Sequence, residues 1–292
     1  MKEGLKRPSA IDLERYPLDR LTEPEGVALV CRCQDEIAQA GICLLPGFLK
    51  PEALTAIARE ALACGETAYH MEHIFAYGEG MLHTVDPESL AADDPRRYPI
   101  HTALQFVAND EIPQASLMRV VYEWERMLEF VRRVFRRGRL YRGSDRLNGL
   151  NYTVMGEGDE QDWHFDEHDF SVTVMLEQGA AGGLFEFVPR LRGPDGEDLG
   201  GLRKAIDGTH EGLIRLSPAP GTLSLFEGRY NYHRATKVKG GRKRLLALLQ
   251  YVEELWADDE AADAMNRLFF GRTAKEEPLG ATMARTARSL RP

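Results

Sequence analysis

The stretch Trp163-His164-Phe165-Asp166 lies in the middle of NYTVMGEGDEQDWHFDEHDFSVTVMLEQ, residues 151–178. In an extended segment, side chains two residues apart lie on the same face. His164 and Asp166 therefore share one face, whereas Phe165 points the other way, towards a core. An imidazole and a carboxylate on one face are suitable metal ligands, but two ligands do not complete a site. A third ligand has to come from a distant part of the chain.

His233 is the best candidate for the third ligand. It lies in PGTLSLFEGRYNYHRATKVKGGRKRLLALLQY, just after the turn between a strand predicted at Thr222–Phe226 and another predicted at Arg244–Tyr251. A strand pair that closes on a ligand is a common arrangement around a buried small-molecule site. Two imidazoles and one carboxylate on one face of an octahedron leave three positions open, which suits a non-haem Fe(II) oxygenase.

With these residues in place, the chain resembles the Fe(II)- and 2-oxoglutarate-dependent dioxygenases. It is most similar to the bacterial amino-acid hydroxylases and the related amino-acid halogenases. The matching motifs fall within residues 140–255 and are Asn151–Met155, Gly158-Asp159, Trp163–Asp166, Gly183–Pro189, Pro220–Leu223, His233-Arg234 and Arg244. The resemblance implies that His164, Asp166 and His233 hold Fe(II), with 2-oxoglutarate and O2 as co-substrates.

The resemblance also implies a basic residue that binds the far carboxylate of 2-oxoglutarate, and two arginines compete for that role. Arg244 opens the apolar strand Leu245–Leu249, at the place where the resembling proteins carry their arginine. Arg242 follows Gly240-Gly241 and is more typical of a solvated turn. Because a guanidinium pairs with a carboxylate through two parallel hydrogen bonds, either could serve chemically, and the position favours Arg244.

The reaction implied by the resemblance is hydroxylation of an unactivated C–H bond. The related halogenases have Gly or Ala where this chain has Asp166, so halogenation is disfavoured. The substrate is expected to be a small polar molecule, such as a free amino acid or a derivative, by family analogy alone. By period two, Leu246, Leu248 and Gln250 share a strand face with Arg244. Gln250, Asn151 and Trp163 are the candidates for substrate contacts. Core packing and cross-strand hydrogen bonds are equally good explanations for these three residues.

Two other functions remain open on the sequence alone. One is an oxygenase that acts on a protein-bound or carrier-bound residue, which would favour an exposed groove around residues 70–100. The other is a non-catalytic jelly-roll binding module, which would need neither Arg244 nor 2-oxoglutarate. His70, His73, His83 and His101 lie in or near that region, but their spacing matches no metal motif, so surface positions are the expectation.

Composition excludes several partners. The 292-residue chain is 43% hydrophobic, which is enough to bury one large core. Its formal net charge of −9 argues against a nucleic-acid partner bound through phosphates. The N-terminus has no apolar run of the kind found in signal peptides, and no stretch approaches a membrane span. The four scattered cysteines fit reduced thiols, so we expect a cytoplasmic protein without a membrane partner.

The pattern of elements predicts an α+β fold. Closely spaced strands with turn residues between them favour a jelly roll over βαβ units, and the resemblance implies a double-stranded β-helix, or cupin-like, core flanked by helices. Helices are predicted at 24–40, 51–64 and 112–135. Residues 70–99 are expected to be irregular, and residues 190–218 are expected to form an irregular surface excursion with a short helix. The predicted organisation is an N-terminal arm (1–25) and one oxygenase domain (26–272), made of a helical part (26–139), the jelly roll (140–255) and a closing helix (256–272), followed by a tail (273–292).

Overall fold

The structure is a computed structural model that describes residues 8–78, 86–143, 145–254 and 260–276. The helices in these residues are α1 (Pro24–Ala40), α2 (Pro51–Gly65), α3 (Leu117–Glu123), α4 (Glu125–Val134), α5 (Leu199–Ile206) and α6 (Glu260–Phe270). The strands are β1 (Ile42–Leu45), β2 (Tyr69–Phe75), β3 (Ile100–Val107), β4 (Tyr141–Arg142), β5 (Leu150–Met155), β6 (Glu160–His164), β7 (Ser171–Glu177), β8 (Ala181–Gly182), β9 (Phe185–Val188), β10 (Arg192–Gly193), β11 (Gly196–Glu197), β12 (Ile214–Leu216), β13 (Leu223–Phe226), β14 (Tyr232–Ala235), β15 (Val238–Lys239), β16 (Arg244–Leu249) and β17 (Tyr251–Val252).

Eight antiparallel strands form the core, in a continuous sheet that divides at β3 into two four-stranded sheets. One sheet has the order β13-β7-β16-β5, and the other has the order β6-β14-β9-β12. Strand β3 links the sheets because it pairs with β5 at one end and with β6 at the other. Eight strands that alternate between two such sheets form a jelly roll, or double-stranded β-helix. The predicted fold class is therefore confirmed.

The N-terminal elements lie where the sequence signals predict them. Helix α1 begins with Pro24 and ends at Gly41, whose φ of +75° suits glycine at a helix C-cap. Strand β1 then extends the first sheet by pairing with β13, and α2 begins with Pro51. The arm before α1 is packed rather than loose, because several of its side chains are buried in the main core: Ala10, Ile11, Leu13, Tyr16, Leu18 and Leu21.

The prediction of one long helix at 112–135 is wrong, because the chain forms two shorter helices with a break at Trp124. The backbone of Trp124 is extended (φ −69°, ψ 125°), and its side chain is buried. Helix α3 begins only after Ser116, whose hydroxyl accepts hydrogen bonds from the backbone N–H groups of Met118 and Arg119. Since α3 packs against α2 and α4 packs against α1, the break serves two different tertiary contacts. Helical periodicity alone does not reveal it.

Two segments that were expected to be irregular contain sheet strands. Residues 69–75 form β2, which pairs along its whole length with β3, so only part of the 70–99 segment is irregular. The 190–218 segment includes β12, which is an outer strand of the jelly roll. Its remaining part forms a short hairpin and α5. Both strands were missed because they are flanked by charged residues, and sheet pairing is a non-local contact.

The expected closing helix is observed as α6, which packs against β2 and β3. Residues 255–259 and the predicted tail beyond residue 276 lie outside the described residues, as does His83. None of the helices that the structure describes has the length and apolar character needed to span a membrane.

Candidate metal centre and the two cavities that meet there

Three side chains from neighbouring strands converge at one end of the jelly roll. His164 is the last residue of β6, and His233 lies directly opposite it on β14. Asp166 follows β6 by two residues and lies on the same side of the chain. One ligand atom from each of these residues lies within 4.8 Å of the others, so the group could hold a metal ion. The structure thus brings together the three ligands predicted from the sequence.

Hydrogen bonds to backbone carbonyls orient both imidazoles. Nδ1 of His164 lies 2.7 Å from the carbonyl oxygen of Asp162, and Nδ1 of His233 lies 2.8 Å from that of Asn231. A carbonyl oxygen only accepts, so each Nδ1 carries the hydrogen and each Nε2 keeps its lone pair. The two Nε2 atoms lie 3.7 Å and 3.4 Å from Oδ1 of Asp166. Both lone pairs therefore face the carboxylate, as ligands of a common ion must.

The donor set fits a first-row transition metal. In an octahedral site with bonds of about 2.1 Å, neighbouring ligand atoms lie about 3 Å apart. The two nitrogen–oxygen distances exceed this value by less than 1 Å, so small side-chain rotations would close them onto an ion. Two neutral imidazoles and one carboxylate also leave one face open, which is the arrangement that non-haem Fe(II) sites use.

The protonation states favour metal binding. Burial, together with the neighbouring His233, lowers the pKa of His164 to about 4, so His164 is neutral at pH 7. Burial alone would raise the pKa of Asp166, but the nearby His233 and His164 outweigh burial and hold the pKa at about 2. At neutral pH, His164 and Asp166 are therefore already in the states that bind a cation.

Gly228 makes room for the Asp166 carboxylate and was not singled out from the sequence. Its carbonyl accepts a hydrogen bond from the backbone N–H of Asp166 at 3.1 Å. A Cβ atom placed on Gly228 would lie 1.8 Å from Oδ2 of Asp166. Any side chain at this position must displace the carboxylate. The available signal was the turn Glu227-Gly228-Arg229, which predicted a glycine in a turn but not its proximity to Asp166.

Arg244 is buried without an acidic partner. Only 5% of the residue is exposed, and its Nη1 lies 3.5 Å from the sulfur of Met155. Its Nε is buried without a hydrogen-bond partner, and no carboxylate in the described part of the chain forms an ion pair with it. Burial lowers the pKa of Arg244 to about 10, which leaves it charged at neutral pH. An uncompensated buried guanidinium is costly, so its environment is suited to an anionic ligand.

Two cavities meet at His164 and Asp166. The inner cavity has a volume of about 140 Å³ and is lined by His233, Arg244 and side chains of the sheet strands. The outer cavity has a volume of about 270 Å³, and its walls come from the segment after β6 and from β2, β3 and α6. His164 and Asp166 line both cavities. The candidate metal centre therefore lies at the junction between a small, charged space and a larger space that opens outwards.

The competing arginine lies elsewhere. The exposed side chain of Arg242 donates hydrogen bonds to the backbone carbonyls of Gln178 and Gly179, as expected for a turn residue. Arg244, in contrast, shares the inner cavity with the three candidate ligands. Leu246 and Leu248, which were predicted to share its face, also line this cavity.

The three predicted substrate contacts are placed differently. Gln250 lines the outer cavity. Asn151 lines neither cavity, and its side-chain amide donates to the backbone carbonyls of Val107 and Leu147. Trp163 also lines neither cavity, because its ring is buried against Tyr232 with the ring centroids 5.2 Å apart. The structure thus brings only Gln250 towards the candidate metal centre.

Much of the outer cavity wall was not found from the sequence. These wall residues come from strands and a helix that are distant in the chain and carry no recognisable motif: Phe75, Tyr77, Ile100, Phe106, Met265, Phe269 and Phe270. They are ordinary apolar residues of amphipathic elements, and only the tertiary fold assigns them to a cavity.

Comparison with known proteins supports the fold. No protein-family model matches the sequence, and no curated protein is similar to it. Among solved structures, the chain is similar to AviO1 from Streptomyces viridochromogenes Tue57, with 14% identity and a TM-score of 0.51 over 78% of this chain and 96% of that chain. It is also similar to a prolyl hydroxylase from Trichoplax adhaerens in complex with a hypoxia inducible factor peptide fragment, with 13% identity and a TM-score of 0.50 over 77% of this chain and 90% of that chain. At these identities, the likeness shows a shared fold.

Proposed function

We propose that the protein is an Fe(II)- and 2-oxoglutarate-dependent dioxygenase that hydroxylates a C–H bond of a small molecule. The observation that carries the proposal is the position of Arg244. A buried, unpaired guanidinium lines the same small cavity as two imidazoles and a carboxylate that could hold a metal ion. A dicarboxylate that chelates the metal at one end and reaches Arg244 at the other would satisfy both features.

Each residue has a defined task in this proposal. His164, Asp166 and His233 hold Fe(II), and the backbone carbonyls at their Nδ1 atoms keep the two imidazoles in the binding tautomer. Arg244 neutralises the far carboxylate of 2-oxoglutarate. Thr173 and Ser224 face each other across two strands and line the same cavity, so their hydroxyls can donate to that carboxylate. When bound, Fe(II), 2-oxoglutarate and O2 together supply the oxidising power that breaks the substrate C–H bond.

The remaining residues bear on the outcome and on the substrate. Asp166 supplies a protein carboxylate where a halogenating site would need room for a halide, so hydroxylation is the expected outcome. The outer cavity, of about 270 Å³, is of the size that takes a small molecule. An amino acid or an amino-acid derivative remains the predicted substrate class. An oxygenase that acts on a peptide is the second candidate, since the similar prolyl hydroxylase is bound to a peptide fragment.

The test is an anaerobic titration of the metal-free protein with Fe(II) and 2-oxoglutarate, followed by visible absorption. We expect a metal-to-ligand charge-transfer band in the wild-type protein. His164→Ala should abolish the band, and Arg244→Ala should shift it to higher 2-oxoglutarate concentration. Arg242→Ala is the matched control, because it removes an arginine two residues away whose side chain bonds only to backbone carbonyls. Bound iron without a band in the wild-type protein would disprove the proposal and favour a binding module.

A further inference from the structure

The outer cavity is walled mainly by apolar and aromatic side chains. They include Phe75, Phe106, Phe165, Phe170, Phe269 and Phe270. A cavity of about 150 Å³ holds a benzene ring, so a volume of about 270 Å³ holds a ring with a short side chain. The shape and lining therefore favour a substrate with an apolar body that contains a ring.

The charges on the wall are asymmetric. Arg192 is the only lining residue with a permanent positive charge in the part of the chain that the structure describes. Its guanidinium is already neutralised, since its Nε lies 2.8 Å from Oε1 of Glu197. It also stacks over the ring of Phe165 at 3.9 Å from the ring centroid. A substrate carboxylate in this cavity would therefore find no unpaired lysine or arginine among the described residues.

Glu167 carries the opposite charge and has no ion-pair partner among the described residues. Burial raises the pKa of its carboxyl, and His168 and Arg229 partly offset this from a longer distance. Glu167 lines the outer cavity directly after the candidate ligand Asp166. The nearest arginine of its loop, Arg229, donates to the backbone carbonyl of Glu167 at 2.8 Å, while its Nε lies 3.6 Å from the carboxylate of Asp169. Within the described residues, no lysine or arginine forms an ion pair with the Glu167 side chain. Besides the candidate ligand Asp166, the outer cavity thus presents the Glu167 carboxylate, without an ion-pair partner in the described residues, among aromatic rings.

From this arrangement, and resting on the proposed function, we propose that the substrate is an amine with an apolar, ring-containing body and no free carboxylate. Its cationic nitrogen binds the Glu167 carboxylate, and aromatic faces add cation–π attraction. Its body fills the apolar part of the cavity beside the metal centre. A free α-amino acid is disfavoured, because its carboxylate would lose hydration and meet no unpaired lysine or arginine among the described lining residues. Decarboxylated amino acids and amino-acid amides or esters meet the requirement.

A matched set of ring compounds tests this substrate class by binding rather than by turnover. The probes are 2-phenylethylamine and phenylalanine amide (cations), 2-phenylethanol (neutral), phenylalanine (zwitterion) and 3-phenylpropanoate (anion). Each is titrated by calorimetry into the protein loaded with Fe(II) and 2-oxoglutarate without oxygen. We expect the two cations to bind at least about tenfold more tightly than phenylalanine and 3-phenylpropanoate, with 2-phenylethanol between them.

The variant Glu167→Gln assigns the effect to one side chain. It keeps the shape of the residue. We expect it to weaken the binding of both cations about tenfold and to change the affinity for 2-phenylethanol less than twofold. Glu211→Gln, at an exposed glutamate outside both cavities, should change none of the affinities. Equal binding of phenylalanine and its amide would overturn the proposal, as would an equal loss for the alcohol and the amines in Glu167→Gln.

The same samples separate this inference from the function on which it rests. The charge-transfer band reports the metal and 2-oxoglutarate, which occupy the inner cavity, and the calorimetric titrations report the outer one. A wild-type band together with the wrong order of affinities overturns only the substrate class. An unchanged 2-oxoglutarate midpoint in Glu167→Gln shows that the variant has not disturbed Asp166 next to it.

Discussion

The inner and outer cavities share His164 and Asp166 but differ in how the fold builds them. The inner cavity is lined mainly by strands of the jelly roll, and its one arginine, Arg244, is part of strand β16. The outer cavity is closed by elements added around the jelly roll, namely β2, α6 and the segment that follows β6. The first is therefore as rigid as the sheet itself, whereas the second depends on flanking elements that sequence changes can alter without disturbing the core.

Under the proposed function, this difference indicates that the inner cavity carries the reaction chemistry and the outer cavity carries substrate selectivity. A fixed cation next to a metal centre suits one small dianion and offers little choice. An apolar chamber with one carboxylate discriminates between substrates by charge and shape. Substitutions that act on one cavity and leave the other unchanged test whether the two cavities have these separate roles.

The largest expected effect is on the inner cavity. Arg244→Met replaces a buried charge by an apolar side chain of similar length, so the 2-oxoglutarate concentration for half-maximal band intensity should rise about 100-fold. The free energy of unfolding without ligands should increase by about 1 kcal/mol or more, because the uncompensated charge is gone. Urea unfolding and the anaerobic titration measure the two effects. Loss of stability together with unchanged 2-oxoglutarate binding would mean that Arg244 is a structural residue.

The pH dependence of the free energy of unfolding tests whether the junction of the two cavities excludes water. Burial lowers the pKa of His164 to about 4 from a usual value of 6.5, so between these pH values the unfolded chain binds a proton that the folded chain does not. Stability must therefore fall as the pH falls from 6.5 towards 4. At pH 5, the metal-free protein should lose about 2 kcal/mol relative to pH 7 in excess of the loss in His164→Gln.

Urea unfolding at the two pH values, on the wild-type protein and His164→Gln, checks this expectation. Parallel losses in the two proteins would show that His164 titrates as an exposed imidazole, and the junction would then be open to water. Asp166 does not interfere, because its pKa of about 2 keeps it ionised throughout this range.

A smaller effect is expected from Gly228, which fits against the Asp166 carboxylate. Gly228→Ala should weaken Fe(II) binding about tenfold, since the methyl group displaces one ligand without removing it. Gly241→Ala is the control, because a Cβ atom at that glycine would meet no atom within 4 Å. Equilibrium titration with Fe(II) under anaerobic conditions measures both variants. An equal affinity of the two variants would show that Asp166 is free to move away.

The sequence predicted the inner cavity far better than the outer one, for a physical reason. His164, Asp166, His233 and Arg244 lie on or beside regular strands, where period two and chain order place side chains on a known face. The same reasoning placed Leu246 and Leu248 on the face of Arg244, and both line the inner cavity with it, whereas Gln250 lines only the outer cavity.

The outer cavity depends on contacts that have no local signal. Strand β2 pairs with β3 across an intervening segment of more than twenty residues, and α6 reaches both from the far end of the chain. Glu167 follows directly on the metal motif, yet only the pairing of the nearby arginines with other carboxylates reveals that it is unpaired. Asn151 was a reasonable guess from its strand position, but its amide satisfies two buried backbone carbonyls instead.

The smallest expected effect separates shape from charge within the outer cavity. Gln250 lines this cavity, and its neutral amide can add one hydrogen bond to a bound molecule. Gln250→Leu should therefore weaken the binding of 2-phenylethylamine about threefold, because one neutral hydrogen bond is lost. Gln39→Leu, on the exposed side of α1, should have no effect. The 2-oxoglutarate midpoint should stay unchanged in both variants, because Gln250 is absent from the lining of the inner cavity. If Gln250→Leu instead shifts that midpoint, the two cavities are coupled through β16, and the division between shared chemistry and selectivity fails at this strand.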